Sequence, residues 1–158
     1  MESILISIRP EWCERILSGE KTIEVRKNRP KIDTPFRCYI YETKGEIERP
    51  RGDEDGYIYQ EGRGAVIGEF VCDKIKRIDI PFPAYWPELD KSVLYGTCLS
   101  LTEIHDYLGH RSGYGWHISD LRIYDEPKPL KRFQIPTTYP ARRIRQPPQS
   151  WCYAEEIT

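Results

Sequence analysis

Gly19-Glu20-Lys21-Thr22-Ile23-Glu24-Val25-Arg26 decides how the chain is read, because a helix ends and a strand begins inside it. From Lys21 onward the residues alternate. Ile23 and Val25 point one way while Thr22, Glu24 and Arg26 point the other, as in a strand with one apolar face. Gly19 is a natural stop for the helix before it. That helix is predicted over Pro10 to Ser18. Pro10 fits the first helical position, where a missing N–H is no loss, and Trp12, Cys13, Ile16 and Leu17 recur at helical spacing. Upstream, Ile4-Leu5-Ile6-Ser7-Ile8 is rich in β-branched residues and reads as a buried first strand.

Downstream, Phe36 to Thr43 is predicted as a third strand, with Phe36, Cys38 and Ile40 opposite Tyr39 and Tyr41. Gly64 to Asp73 is a fourth, apolar on both faces and therefore central, its register continuing toward Ile75 and Ile78. Between them, residues 45–63 form a charged insertion whose middle, Arg51 to Gly56, reads as a mobile tip, either functional or disordered. Ser100-Leu101-Thr102-Glu103 is a capping box that opens a helix over Ser100 to Leu108. Gly113 to Tyr124 gives more strand, with a register change near Ser119-Asp120. A proline-punctuated surface segment follows, and Trp151-Cys152-Tyr153 pairs back as an edge strand. Short strands without regular strand–helix alternation predict an α+β fold: a small β-barrel with short flanking helices.

With 158 residues, one domain spanning 1–158 is expected. A net charge of −1, from 24 basic and 25 acidic residues, gives no global field toward nucleic acid, so any such binding rests on a local patch. That argues against a backbone-dominated binder of long duplexes and leaves recognition of a base, nucleoside or nucleotide open. Five scattered cysteines without a C-x-x-C pair fit neither a disulfide scaffold nor a zinc site, and the histidines have no metal-ligand spacing. No metal and no cofactor is expected. The opening strand-like run and the lack of a long apolar stretch predict a cytoplasmic chain without signal peptide or membrane span. Oligomeric state is not set by the sequence.

Several residues carry candidate chemistry. Glu24 and Arg26 lie about 7 Å apart on one strand face and can pair or contact one ligand. Arginine offers a donor fork suited to phosphate, and a carboxylate accepts from an exocyclic amine. Lys21, beside a carboxylate, is held charged and suits anion binding, whereas work as a base requires burial to lower its pKa. A solvated charged face is the plain alternative. Glu69 sits in the apolar run Ala65 to Cys72 and needs a partner, for which Lys21 or Arg26 is expected. Neighbouring Gly68 permits close approach of a ligand or backbone. Tyr39, Tyr41, Tyr114, Trp116 and Trp151 are candidate stacking platforms, with Tyr41 and Trp116 preferred. Basic residues gather at Arg26, Lys27, Arg29 and Lys31 and again at Arg142, Arg143 and Arg145; these are either one phosphate-tracking patch or two unrelated faces.

The G-x-K-x-x-E-x-R pattern of Gly19, Lys21, Glu24 and Arg26, after Ile6-Ser7-Ile8-Arg9-Pro10 and a helix through Ile16-Leu17, resembles the ASCH family of the PUA-like superfamily. The closing Pro147-Pro148-Gln149-Ser150-Trp151-Cys152-Tyr153 is similar to phage-related members. The resemblance implies a PUA-like barrel whose cleft beside the first helix takes RNA, a nucleotide or a nucleoside. Lys21, Glu24, Arg26, Tyr41, Trp116 and Arg9 are then the expected ligand contacts. A related bacterial branch deacetylates N4-acetylcytidine with a Lys, a Thr and a Glu. Its Lys matches Lys21 and its Glu maps to Glu69, whereas its Thr position holds Glu24. Three readings follow: a binding module, an amidohydrolase or ribonuclease using Lys21 and Glu69, and a protein-interaction adaptor using the insertion.

Overall fold

The run Ser3–Ile8 is buried on both faces because, in the computed structural model, it is an inner strand of a six-stranded mixed sheet. The structure describes residues 1–50, 57–79, 91–109, 111–136 and 140–158. In chain order the elements are β1 (Ser3–Ile8), α1 (Pro10–Leu17), β2 (Ile23–Arg26), β3 (Phe36–Glu42), β4 (Glu46–Pro50), β5 (Tyr57–Glu61) and β6 (Ala65–Ile78). Then come α2 (Lys91–Thr97), α3 (Leu101–Leu108), β7 (Gly113–Lys128), β8 (Phe133–Ile135), β9 (Arg142–Arg143), β10 (Trp151–Tyr153) and β11 (Glu155–Glu156). The main sheet runs β10-β1-β3-β6-β7-β2, curled into a half-barrel; β11-β8-β9 and β4-β5 form two smaller sheets. The α+β class holds, and β10 is the expected edge strand.

One expectation needs correction. Strands are not all short: β6 has 14 residues and β7 has 16. Their register shifts at three places, and Asp120 has φ 45°, so the long ribbon bends by bulges rather than by ending. The small barrel takes the form of a half-barrel whose edges, among the described residues, are β2 and β10. Helix α2 is an element that the sequence reading did not predict. The tip at 51–56 lies outside the described residues, while its flanking β4 and β5 pair antiparallel.

Strand alternation sorts the side chains into cores. Ile4, Ile6, Ile8, Phe36, Cys38, Ile40, Phe70 and Trp116 pack together with Cys13 and Ile16 of α1. On the opposite face Leu5, Tyr39, Tyr41 and Val66 pack against Phe133 and Ile144. Val25 joins Ile78 with Ile104 and Leu108 of α3, whose Ser100–Glu103 capping box is present. Gly68 serves backbone approach: an added Cβ would sit 2.5 Å from the Arg122 carbonyl oxygen.

Candidate functional site

Strand β2 carries Glu24 and Arg26 onto the face occupied by Trp116, the direct cross-strand partner of Glu24. Arg26 is 8% exposed and all three guanidinium nitrogens donate within the protein. Nε bonds Glu24 Oε1 at 3.2 Å, Nη2 bonds the Ser7 carbonyl at 2.7 Å, and Nη1 reaches the Ser150 carbonyl and Oγ at 3.3 and 3.2 Å. Ser7 belongs to β1 and Ser150 immediately precedes β10, whereas Arg26 ends the opposite edge of the sheet. One side chain thus spans the opening of the half-barrel. The fork expected to meet a phosphate is turned inward, because the carbonyls at the far edge need its donors.

Lys21 is 3% exposed, in the link between α1 and β2. Its Nζ donates to the Thr97 carbonyl at 2.7 Å and lies 5.2 Å from the centre of the Trp12 ring. Glu24 Oε2 stands 3.9 Å from it, an ion pair but not a hydrogen bond. Both Glu24 Oε2 and Trp116 Nε1 are buried without a hydrogen-bond partner. Buried polar atoms are nearly always satisfied, so an unsatisfied acceptor and donor on cross-strand neighbours call for an explanation. Glu42, 8% exposed at the end of β3, adds a second buried carboxylate and accepts from the Arg63 backbone N–H at 2.7 Å. Burial pushes the Cys13 thiol up, and the charges of Glu42 and Glu24 push it further.

Burial lowers the Lys21 ammonium below the ordinary lysine range, with Glu24 opposing the shift. Between the lowered folded-state value and the ordinary value, the unfolded chain holds more protons, so stability contributed by this group rises with pH there. Urea denaturation of wild type and Lys21→Met is expected to show the difference moving in favour of wild type as pH climbs toward about 10.4. A difference that stays flat contradicts a buried, destabilised ammonium.

Beside this cluster, between the end of α1 and α2, lies an open pocket of about 520 Å³ lined by Arg15, Glu20, Lys91, Leu94, Tyr95, Cys98 and Leu99. Lys21 Nζ bonds the carbonyl of Thr97, the residue before the lining residue Cys98, so the pocket backs onto the buried ammonium. Cys98 adopts φ 57°, a conformation that non-glycine residues rarely take and that tends to occur at functional sites. Among the described residues no three His, Cys, Asp or Glu side chains gather as a metal site would need.

Residues 6–128 match the model of the ASCH domain. The chain belongs to the ASCH domain family. Among solved structures it is similar to the ASCH protein of Zymomonas mobilis, at 22% identity and TM-score 0.62, over 99% of this chain and 98% of that one. It is likewise similar to a serine-to-alanine variant of that protein, at 23% identity and TM-score 0.62, covering 96% and 87% of the two chains. A tyrosine-to-phenylalanine variant gives 24% identity and TM-score 0.61, covering 97% and 90%. No curated protein matches the chain.

In this ASCH domain the signature does converge with Trp116, but Glu69 and Tyr41 lie elsewhere. Glu69 pairs with neither Lys21 nor Arg26. It projects onto the opposite face, accepts from Tyr124 Oη at 2.5 Å and lies 3.6 Å from Arg37 Nε. Its cross-strand partner is Tyr39, so the same alternation that keeps Phe70 in the main core turns Glu69 away from it. Tyr41 packs in that second core too, and burial raises its hydroxyl pKa. Trp116 is fully buried, 5.7 Å from Phe36 and 6.1 Å from Trp151, so it offers an N–H and not a stacking face. Arg9 is exposed where β1 passes into α1. Half-buried Trp12, flanked by Lys21 and by Arg15 at 5.4 Å, is the aromatic beside the cluster. Glu42 was legible: it continues the Phe36, Cys38, Ile40 alternation and so places a carboxylate on an apolar face.

Among the described residues no helix is long and apolar enough to cross a membrane.

Proposed function

We propose that this ASCH chain is a binding module that takes a nucleotide of RNA at the end of its half-barrel, beside Lys21 and Glu24. The ASCH family is generally thought to bind RNA. The observation that carries the proposal is the buried Lys21–Glu24 pair, 3.9 Å apart, with Glu24 Oε2 and Trp116 Nε1 both lacking a hydrogen-bond partner. Four charged side chains, Lys21, Glu24, Arg26 and Glu42, are buried here. Such burial costs stability unless each charge is paired, and proteins concentrate it at functional sites. A base edge that accepts from Lys21 or Trp116 and donates to Glu24 would satisfy all three groups. Trp12 supplies the stacking surface, while Arg15 and Lys91 at the pocket rim suit a phosphate. The closing Pro147 to Tyr153 segment favours a phage-related branch of the family.

The amidohydrolase and ribonuclease readings lose support in their Lys21–Glu69 form, since the two residues lie on opposite faces of the sheet. Fluorescence anisotropy of labelled single-stranded RNA, with calorimetry against nucleosides including N4-acetylcytidine, tests the binding proposal. Lys21→Gln is expected to weaken binding by about ten- to a hundredfold, the loss of a charged hydrogen bond. Wild-type protein that binds neither RNA nor nucleoside, or a variant that binds as well as wild type, overturns it. RNA cleavage or acetate release by wild type, lost in Lys21→Gln, shifts the assignment to an enzyme.

A further inference from the structure

The arginines near the C-terminal end sit far from β2 in sequence, yet one segment joins them to it. Arg142, Arg143 and Arg145 line an open groove of about 730 Å³ whose apolar lining includes Ile135, Ile144 and Pro148. All three arginines are exposed, and Ile144 between them is buried in the second core. No acidic residue is among the described residues that line the groove. On the neighbouring β11, Glu155 accepts from Gln134 at 2.6 Å, and Glu156 pairs with Lys128 at 2.8 Å. The groove is therefore a locally cationic track that the net charge of −1 conceals.

We infer that this groove carries the sugar–phosphate backbone of the RNA strand whose nucleotide enters beside Lys21. The inference rests on the proposed RNA binding. Arg143 and Arg145 are two residues apart, about 7 Å along an extended chain, a step similar to that between phosphates of an extended strand. Guanidinium forks grip phosphate oxygens in pairs. Continuity with the motif comes from the segment at Pro148 to Ser150. Pro148 forms part of the groove wall while its carbonyl accepts from Ser7 Oγ at 2.6 Å, and Ser150 is bonded to Arg26. An acidic peptide would meet the same charge, and it is the alternative occupant that the test below separates from RNA.

The test uses Arg143→Glu/Arg145→Glu, two exposed positions, with melting temperature as the folding control. Anisotropy of a labelled RNA dodecamer across a salt series is compared with calorimetry of a mononucleotide. The expected result is a loss of at least about tenfold for the dodecamer, and a log K against log salt slope shallower by about 1.4, for two phosphate contacts released. Mononucleotide binding is expected to stay unchanged. Dodecamer affinity and slope equal to wild type overturn the inference. So does a poly-glutamate peptide that binds the groove more tightly than RNA of equal charge. Loss in Lys21→Gln with no loss in the double variant sinks the groove alone, whereas the reverse pattern sinks the Lys21 site and leaves the groove.

Discussion

Arg26→Ala is expected to destabilise the protein by about 3–5 kcal/mol, the usual cost of stranding one partner of a buried ion pair. Glu24 would be left 7% exposed, with its Oε1 losing the Arg26 Nε donor and its Oε2 already without a hydrogen bond. The Ser7 and Ser150 carbonyls would lose their bonds to the guanidinium as well. For a chain of this length the drop in melting temperature is roughly 6–20 °C. Arg26→Lys should recover little, because one ammonium cannot reach acceptors on three residues with the geometry of a planar fork. Adding Glu24→Gln to Arg26→Ala should recover nothing, because the buried Lys21 ammonium, 3.9 Å from Glu24, then loses its counter-charge in turn. A single-variant loss below about 1 kcal/mol would mean that the opening of the half-barrel is held by backbone pairing and packing, and that Arg26 is incidental.

Trp116→Ala is expected to cost about 3–5 kcal/mol, as for other large aromatic truncations in a core. The indole is 0% exposed and in edge contact with Phe36, and the cavity left behind lies under β2. Trp116→Phe separates packing from the polar group. It keeps most of the ring and deletes the unpaired N–H, so its stability cost should stay below about 1.5 kcal/mol. Its RNA affinity should nevertheless fall by about tenfold if that N–H is the donor for the bound nucleotide. Equal affinity in wild type and Trp116→Phe would remove Trp116 from the site while leaving its place in the core intact.

Much of the fold was legible because it depends on local pattern. Pro10, Gly19 and the Ile23/Val25 alternation delimit α1 and β2, and Ser100 with Glu103 opens α3. The register change near Ser119-Asp120 appears as a bulge with a left-handed Asp120. What sequence did not settle is which face of the sheet each candidate shares with another strand. Glu69 is a carboxylate in an apolar strand, and the pairing of β3 with β6 turns it toward Tyr39 and Tyr124 rather than toward Lys21 or Arg26. The contact between Arg26 and Ser150 spans 124 positions of chain, and no periodicity encodes it. The glycines around Trp116 serve packing and not access to its ring: an added Cβ at Gly115 would press on Ile23 at 3.0 Å, and one at Gly113 would collide with Leu108.

The most direct test of the RNA-binding site is the indole N–H spectrum of ¹⁵N-labelled protein during titration with single-stranded RNA. The chain has four tryptophans, and Trp116→Phe assigns the relevant signal by its disappearance. The expected result is that the Trp116 indole proton, which has no acceptor among the described residues, moves downfield in step with saturation as it gains one from the RNA. RNA that binds to saturation and leaves this signal in place would contradict a site built on Lys21, Glu24 and Trp116.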